Sequence, residues 1–399
     1  MLRNSVAVAI LLFLGTLVAS AADPVKVIVF PLSRSKTTSL SWLGEGIAIS
    51  LSEQIRGHRV KVMTYTQLLE FIERMNLPLG AQLSRGSMIR IAQTAAADLA
   101  VMGTFSGSAK NLKITVRILD IKTLKLSGGI SANGPLSVLP QMENELAWLI
   151  LANSGLEKAH TRKEFQAKSR DVPNNAFAYY VQSFGTSNEN EQLRLLTKAL
   201  ELHNNFPEAR FRIGSIYFQK GDCGAAMPHL IAGSSRAGTY AESQFMLGTC
   251  YLKEDQSDKA IQILSRILQI SRSYEALNNL GVAYLRQGDL ALAINALVEA
   301  NTLAPSNSTV SLNLAVARHL QRNETGALTL LREAIKNDAK NGMLQFLMGF
   351  LLKKHGENES AAVALGIAES LGINEEKLQQ QHPKTWTRII SNWEDSEIF

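Results

Sequence analysis

Residues 281–305 read GVAYLRQGDLALAINALVEANTLAP, and this stretch decides the fold of the second half of the chain. Apolar residues at helical spacing stand on both sides of a polar, glycine-bearing break at Gln287, Gly288 and Asp289, which describes two helices joined by a tight turn. The unit recurs. Aligning Gly214, Gly248, Gly281, Ala315 and Gly349 gives spacings of 34, 33, 34 and 34 residues. Twelve residues beyond each comes an alanine (Ala226, Ala260, Ala293, Ala327, Ala361), and four further on a leucine (Leu230, Leu264, Leu297, Leu331, Leu365). Antiparallel helices approach closely only where small residues sit at their crossing, so the glycine of the first helix and the alanine of the second mark that crossing. Three residues after the small one stand Tyr217, Tyr251 and Tyr284, replaced by Arg318 and Leu352 in the last two units.

The breaks between helices are alike in kind: Lys220-Gly221-Asp222, Lys253-Glu254-Asp255, Gln287-Gly288-Asp289, Arg322-Asn323-Glu324 and His355-Gly356-Glu357. Each places an acidic residue at the start of the second helix, where the helix dipole favours it. This pattern resembles the tetratricopeptide repeat, whose small residue, tyrosine, alanine, large apolar residue and late proline are matched by Gly281, Tyr284, Ala293, Leu297, Ala300 and Pro305. The resemblance covers residues 173–372, about six repeats, and implies an all-α solenoid of helical hairpins. The first repeat is degenerate, with Tyr180, Leu196 and Ala199 in register but Gln192 in place of alanine. In residues 373–399, Trp386, Ile389, Ile390 and Trp393 fall at helical spacing, which predicts an amphipathic helix capping the open end of the solenoid.

The resemblance also implies a concave groove lined by the first helix of each hairpin. Counted from the small residue, the family's groove positions give an apolar floor of Phe211, Phe218, Phe245, Leu252, Leu285, Val316, Phe346 and Phe350, with Glu208, Glu242 and Glu275 among its polar members. No lysine and asparagine array of the kind that clamps a terminal carboxylate is recognisable. The expected occupant is an amphipathic or extended segment of a partner protein. The competing expectation is that the first domain or the tryptophan-bearing tail covers the floor.

Ahead of the repeats, residues 24–152 alternate between strand and helix signals. Val25 to Leu32 reads as a buried strand, Trp42 to Ile55 as a helix, and Arg59 to Tyr65 as a strand. Helices follow near Gln67 to Met75 and Ser87 to Ala97, then strands at Leu99 to Phe105, Leu112 to Leu119 and Leu124 to Ile130, and a closing helix from Val138 to Leu151. The fold class is therefore an α/β amino-terminal domain with a mixed sheet, joined by a linker at 153–172 to the all-α array. The run Val29-Phe30-Pro31, the segment Trp42-Leu43-Gly44-Glu45-Gly46-Ile47 and the strands beginning at Asp98 and Leu112 resemble, in that order, TolB-type and FlgO-like envelope domains. That resemblance implies an assembly module of the periplasm or outer membrane that contacts an envelope component and carries no catalysis.

The chain opens with Arg3, an apolar stretch from Val6 to Val18, and Ala19-Ser20-Ala21-Ala22, the order of a signal peptide spanning residues 1–21. At 13 residues this stretch falls short of the roughly 20 that span a bilayer as a helix. Cleavage near Ala21 and a periplasmic or secreted location are expected, with retention as an anchor the alternative and membrane association peripheral at most. An oxidising compartment permits a disulfide between Cys223 and Cys250; two small residues buried as free thiols are the other reading.

With 399 residues, 46% hydrophobic and 19% charged, and only 10 prolines and 27 glycines, disordered, collagen-like and multi-span membrane classes are excluded. The net charge of +6 is concentrated in residues 23–150, which carry +5, while residues 151–399 are neutral. No basic run points to nucleic acid. Gly44-Glu45-Gly46 begins like a dinucleotide fingerprint but continues to Ile49 where a glycine is required, so helix initiation is the better reading. There is no phosphate-binding Gly-Lys-Ser/Thr, and no two of the seven histidines lie three to five residues apart. No cofactor, metal or catalytic residue is therefore expected. The sequence reads as an exported, non-enzymatic interaction scaffold of the cell envelope. The alternative is binding of a small ligand or cell-wall glycan by the α/β domain, near Ser33 to Ser41 and Ser106 to Lys110.

Overall fold

The computed structural model describes residues 23–34, 40–57, 59–77, 82–156, 162–166, 170–233 and 240–392. The leader, Trp393 and part of the Ser33 to Ser41 loop lie outside these residues. The amino-terminal domain contains strands β1 (Val25–Val29), β2 (Ser33–Arg34), β3 (Val60–Val62), β4 (Leu99–Ser108), β5 (Asn111–Asp120) and β6 (Ile130–Gly134). Its helices are α1 (Leu43–Ile55), α2 (Tyr65–Arg74), α3 (Arg85–Thr94) and α4 (Leu139–Asn153). The sheet order is β3-β1-β4-β5-β6, with β2 also pairing β4. Pairing is parallel from β3 through β1 to β4 and antiparallel from β4 to β6.

Alternation from Val27 to Phe30, at the end of β1 and just beyond it, explains why that run is apolar throughout. Val27 and Val29 join Leu43, Ile47, Leu51, Leu146 and Ile150 of α1 and α4 on one face. Ile28 and Phe30 join Leu68, Phe71, Met88 and Ile91 of α2 and α3 on the other. A sheet covered on both faces needs apolar residues at every position. The strand expected at Leu124 to Ile130 is displaced: regular pairing begins only at Ile130, with a single bridge from Leu119 to Leu126 before it. Here the Ile118 amide donates to the Ser127 hydroxyl at 2.9 Å instead of to a neighbouring backbone carbonyl, and Gly128 and Gly129 follow.

The described parts of the connector, 153–156, 162–166 and 170–172, pack against the domain through Leu156, Phe165 and Val172. Within it, α5 (Arg162–Gln166) places Phe165 against Trp148, ring centroids 5.9 Å apart. Arg170 reaches Glu143 at 3.3 Å and lies 3.9 Å over the Phe177 ring, while Ser50 donates to the same Glu143 at 2.8 Å. Burial of Glu143 pushes its carboxyl up to about 7, against the pull of Arg170.

Helices α6 (Asn174–Gln182), α7 (Glu189–Leu202), α8 (Pro207–Gln219), α9 (Cys223–Gly233), α10 (Tyr240–Lys253) and α11 (Ser257–Ile267) form three hairpins. Three more are α12 (Tyr274–Gln287) with α13 (Leu290–Leu303), α14 (Ser308–Leu320) with α15 (Glu324–Asn337), and α16 (Gly342–Lys354) with α17 (Asn358–Ser370). The first hairpin shares a continuous core with the α/β domain through Phe177, Tyr180, Leu196 and Ala199. A β-carbon at Gly214, Gly248, Gly281 or Gly349 would lie 2.5–3.0 Å from the leucine side chain of its own second helix. The absence of that atom is what lets the two helices meet. Seven residues after each small residue the backbone turns left-handed: Gly221, Asp255, Gly288, Arg322 and Gly356 have φ of 55° to 95°. Glycine is favoured at such a turn, and Asp255 and Arg322 adopt the same turn without it.

The last hairpin is followed by the short helix α18 (Glu375–Gln379) and a 3-10 turn, Pro383–Trp386. The amphipathic capping helix expected through Trp386, Ile389 and Ile390 is not formed. From Thr387 to Asn392 the chain has no regular structure. Among the described residues no helix is long and apolar enough to cross a membrane, and no cluster of His, Cys, Asp or Glu is placed to hold a metal.

Candidate interaction groove

The tail fills the middle of the groove, held by three asparagines. Asn313 in α14 accepts from the Arg388 amide at 2.8 Å and donates to the Arg388 carbonyl at 2.7 Å. Asn279 in α12 treats Ile390 in the same way, accepting from its amide at 2.8 Å and donating to its carbonyl at 2.7 Å. Asn278 adds a bond to the Arg388 carbonyl at 3.3 Å and accepts from Asn313 at 2.7 Å. Asn279 is itself braced by the Thr249 hydroxyl at 3.1 Å. All three amides are fully buried, so the tail is what satisfies them.

Asn279 and Asn313 are 34 residues apart, one repeat, and each stands two residues before its small residue. Their targets, Arg388 and Ile390, are two residues apart. One repeat of the solenoid thus reads two residues of an extended segment, through a backbone N–H and C=O that any residue except proline presents. A helix would have consumed those groups internally, which is the physical reason the expected capping helix is absent.

Apolar anchors flank the clamp. Trp386 is 1% exposed, meets Phe346 and Phe350 edge to face at 5.2 and 5.1 Å, stacks on His319, and donates its indole N–H to Leu378 at 3.1 Å. Ile389 packs on the cluster of Phe245, Leu252, Ala276 and Leu280, and Ile390 on that of Leu277, Ala300 and Val310.

The expected floor divides accordingly. Phe346, Phe350 and Val316 share the Trp386 cluster, and Phe245 and Leu252 share the Ile389 cluster. Leu285 is sealed by Ala293, Leu297, Leu314 and Ala317, its own and the next hairpin, and belongs to the core rather than to any open surface. Phe211 and Phe218 lie away from the tail, Phe211 partly exposed and Phe218 beneath the Lys253 ammonium at 5.2 Å. Beside them Cys223 and Cys250 are bridged, their Cα atoms 5.3 Å apart, tying α9 to α10. Glu208, Glu242 and Glu275 sit in the first turns of α8, α10 and α12, where the helix dipole favours an acidic residue.

None of the three asparagines was named in the floor read from the sequence, although Asn278 stands three residues before Gly281, the same family position as Phe211, Phe245 and Phe346. The family's offsets pass over the position two before the small residue, and a search for a carboxylate clamp asks for lysines as well. The available signal was an amide repeated at one-repeat spacing inside two otherwise apolar helices, where asparagine is a poor helix former.

In the α/β domain a cavity of about 160 Å³ lies against Ser33, Arg34, Ser41, Glu45 and Tyr65. It is smaller than the roughly 300–1,000 Å³ usual for ligand sites, and Ser106 to Lys110 do not line it.

Residues 242–271, 269–302 and 279–342 match the tetratricopeptide repeat. No curated protein matches the chain in sequence. Among solved structures it is similar to PilF of Pseudomonas aeruginosa, at 17% identity over 53% of this chain and 99% of that one, with a TM-score of 0.44. It is also similar to MamA, at 20% identity over 42% and 97% with a TM-score of 0.37. A third is YrrB, described as a TPR protein with an unusual peptide-binding site, at 14% identity over 44% and 91% with a TM-score of 0.37. The helical hairpins between residues 242 and 342 are therefore tetratricopeptide repeats.

Proposed function

We propose that this chain is an exported, non-catalytic scaffold of the cell envelope whose repeat array holds an extended segment of a partner protein. In this reading the basic α/β module, similar to TolB-type and FlgO-like domains, contacts an envelope component. The observation that carries the reading is the paired use of Asn279 and Asn313 on the backbone of an extended segment, two residues per repeat. Side-chain amides that grip a backbone make a groove general for extended chains, with flanking apolar pockets adding selectivity. The leader-like sequence of residues 1–21 and the Cys223–Cys250 bridge both support passage to an oxidising compartment.

The test is in-cell crosslinking of the exported chain, comparing wild type with Asn279→Ala/Asn313→Ala, with peptide mapping of the mature amino terminus. A protein crosslinked to wild type and lost from the variant, with a mature chain starting near Ala22, is expected. An unchanged set of partners moves the binding site to the α/β domain. Residues 1–21 retained on the mature protein refute cleavage.

A further inference from the structure

Resting on the groove reading above, we propose that Trp386 to Ile390 is an exchangeable occupant that closes the groove in cis. The partner that displaces it is an extended polypeptide segment carrying an aromatic residue followed three and four residues later by two aliphatic residues. Three features of the tail are those of a ligand. Its four closest polar contacts are made through backbone atoms of Arg388 and Ile390, so another chain reproduces them without sharing this sequence. The Arg388 side chain makes no bond to the asparagines, its guanidinium donating to the Trp386 and Thr387 carbonyls of the tail itself at 3.2 Å, so the array does not read that side chain directly. And the groove beneath carries amides that water can solvate when the segment leaves, so vacating it does not strand buried polar groups.

The connection to the array also permits release. Gln379, Gln380, Gln381 and His382 are exposed, and α17 packs directly on α16 through Ala361, Ala364 and Ala368, in the apolar cluster that Trp386 joins from the other side of α16's Phe346 and Phe350. The tail can swing out about this stretch while the last hairpin stays folded. Tethering sets its effective concentration near the millimolar range, so a weak incoming segment is excluded and one matching both the clamp and the anchors competes. The partner's backbone must present N–H groups at the second and fourth residues after its aromatic, which excludes proline there.

The probe is a fluorescein-labelled peptide with the sequence of residues 382–392, followed by anisotropy with the full mature chain. The chain carrying Trp386→Ala/Ile389→Ala, whose own tail is weakened, is expected to bind it at least tenfold more tightly than wild type. Adding Asn279→Ala/Asn313→Ala should remove that gain, as should proline at the Arg388 and Ile390 positions of the peptide. Equal binding by wild type and the weakened chain overturns the inference and makes the tail a fixed cap. If the weakened chain misfolds, a protease site placed at Gln380 in the otherwise native chain gives a second route. After cleavage the tail fragment should be displaced by excess peptide, and retention overturns the inference. Concentration-dependent dimers that vanish in the weakened chain would place the tail in a second copy and overturn the cis arrangement. Failure here with the in-cell partner still dependent on Asn279 and Asn313 leaves the scaffold reading standing. Peptide exchange with no such partner does the reverse.

Discussion

Replacing Asn313 with alanine removes two bonds to the tail, those to the Arg388 amide and carbonyl at 2.8 and 2.7 Å, and frees Asn278 of its 2.7 Å partner. A hydrogen bond of this kind contributes a net 0.5–1.5 kcal/mol, so loss of the two tail bonds weakens docking by about 1–3 kcal/mol. That raises the open fraction of the tail roughly 5- to 150-fold. Global unfolding is the wrong assay, because a repeat array unfolds hairpin by hairpin and the tail contributes to only part of it. Amide hydrogen exchange resolves local opening. In wild type the segment from Thr387 to Ile390 should be protected, and in Asn313→Ala its exchange should accelerate by that factor while α6 and α7 are unchanged. Asn279→Ala should do the same through Ile390. The double variant should depart from the sum of the two, because Asn278 and Asn279 are themselves joined at 3.1 Å in one network. Unchanged exchange at Arg388 and Ile390 in both variants would refute the clamp as the force holding the tail.

Reduction of the Cys223–Cys250 bridge, which closes a loop over a separation of 27 residues, should lower the stability of the second and third hairpins by about 3.5 kcal/mol on the chain-entropy estimate. A reductant-dependent melting step checks this, and titration of the denatured, unreduced protein should find no free thiol. Glu143 has its carboxyl raised by burial from 4.5 to about 7, so the folded state binds the proton more tightly than the unfolded one. Stability should therefore be greatest below pH 4.5 as far as this group is concerned and fall as pH rises toward about 7. In Glu143→Gln that slope should disappear from the pH dependence of melting.

The parts of this fold legible in the sequence were those written by repetition and by alternation. The in-phase glycines, alanines and leucines specify the hairpins because each leucine packs where the glycine has no side chain. The apolar run of β1 signals a strand covered on both faces. The tail was misread for a definite reason: Trp386, Ile389 and Ile390 fall at helical spacing because each fills a separate apolar pocket, not because they share one face of a helix. A contrary signal was present, since Thr385, Thr387, Ile389 and Ile390 are β-branched and follow Pro383, a composition suited to extended chain. The buried positions Phe245, Leu252 and Phe346 were identified as apolar floor, but a single sequence does not say which segment covers a floor. The clamp was invisible to any pattern that sought charge, because it grips a neutral backbone.

Placing a photo-reactive benzoylphenylalanine at position 389 of the intact chain, and mapping its crosslinks by mass spectrometry, locates the tail in the groove. The attachment should fall within the same chain on α10 to α12, around Phe245, Leu252 and Leu280, where Ile389 packs. Attachment outside those helices, or to a second copy of the chain, would contradict the two-residues-per-repeat register on which the groove is read.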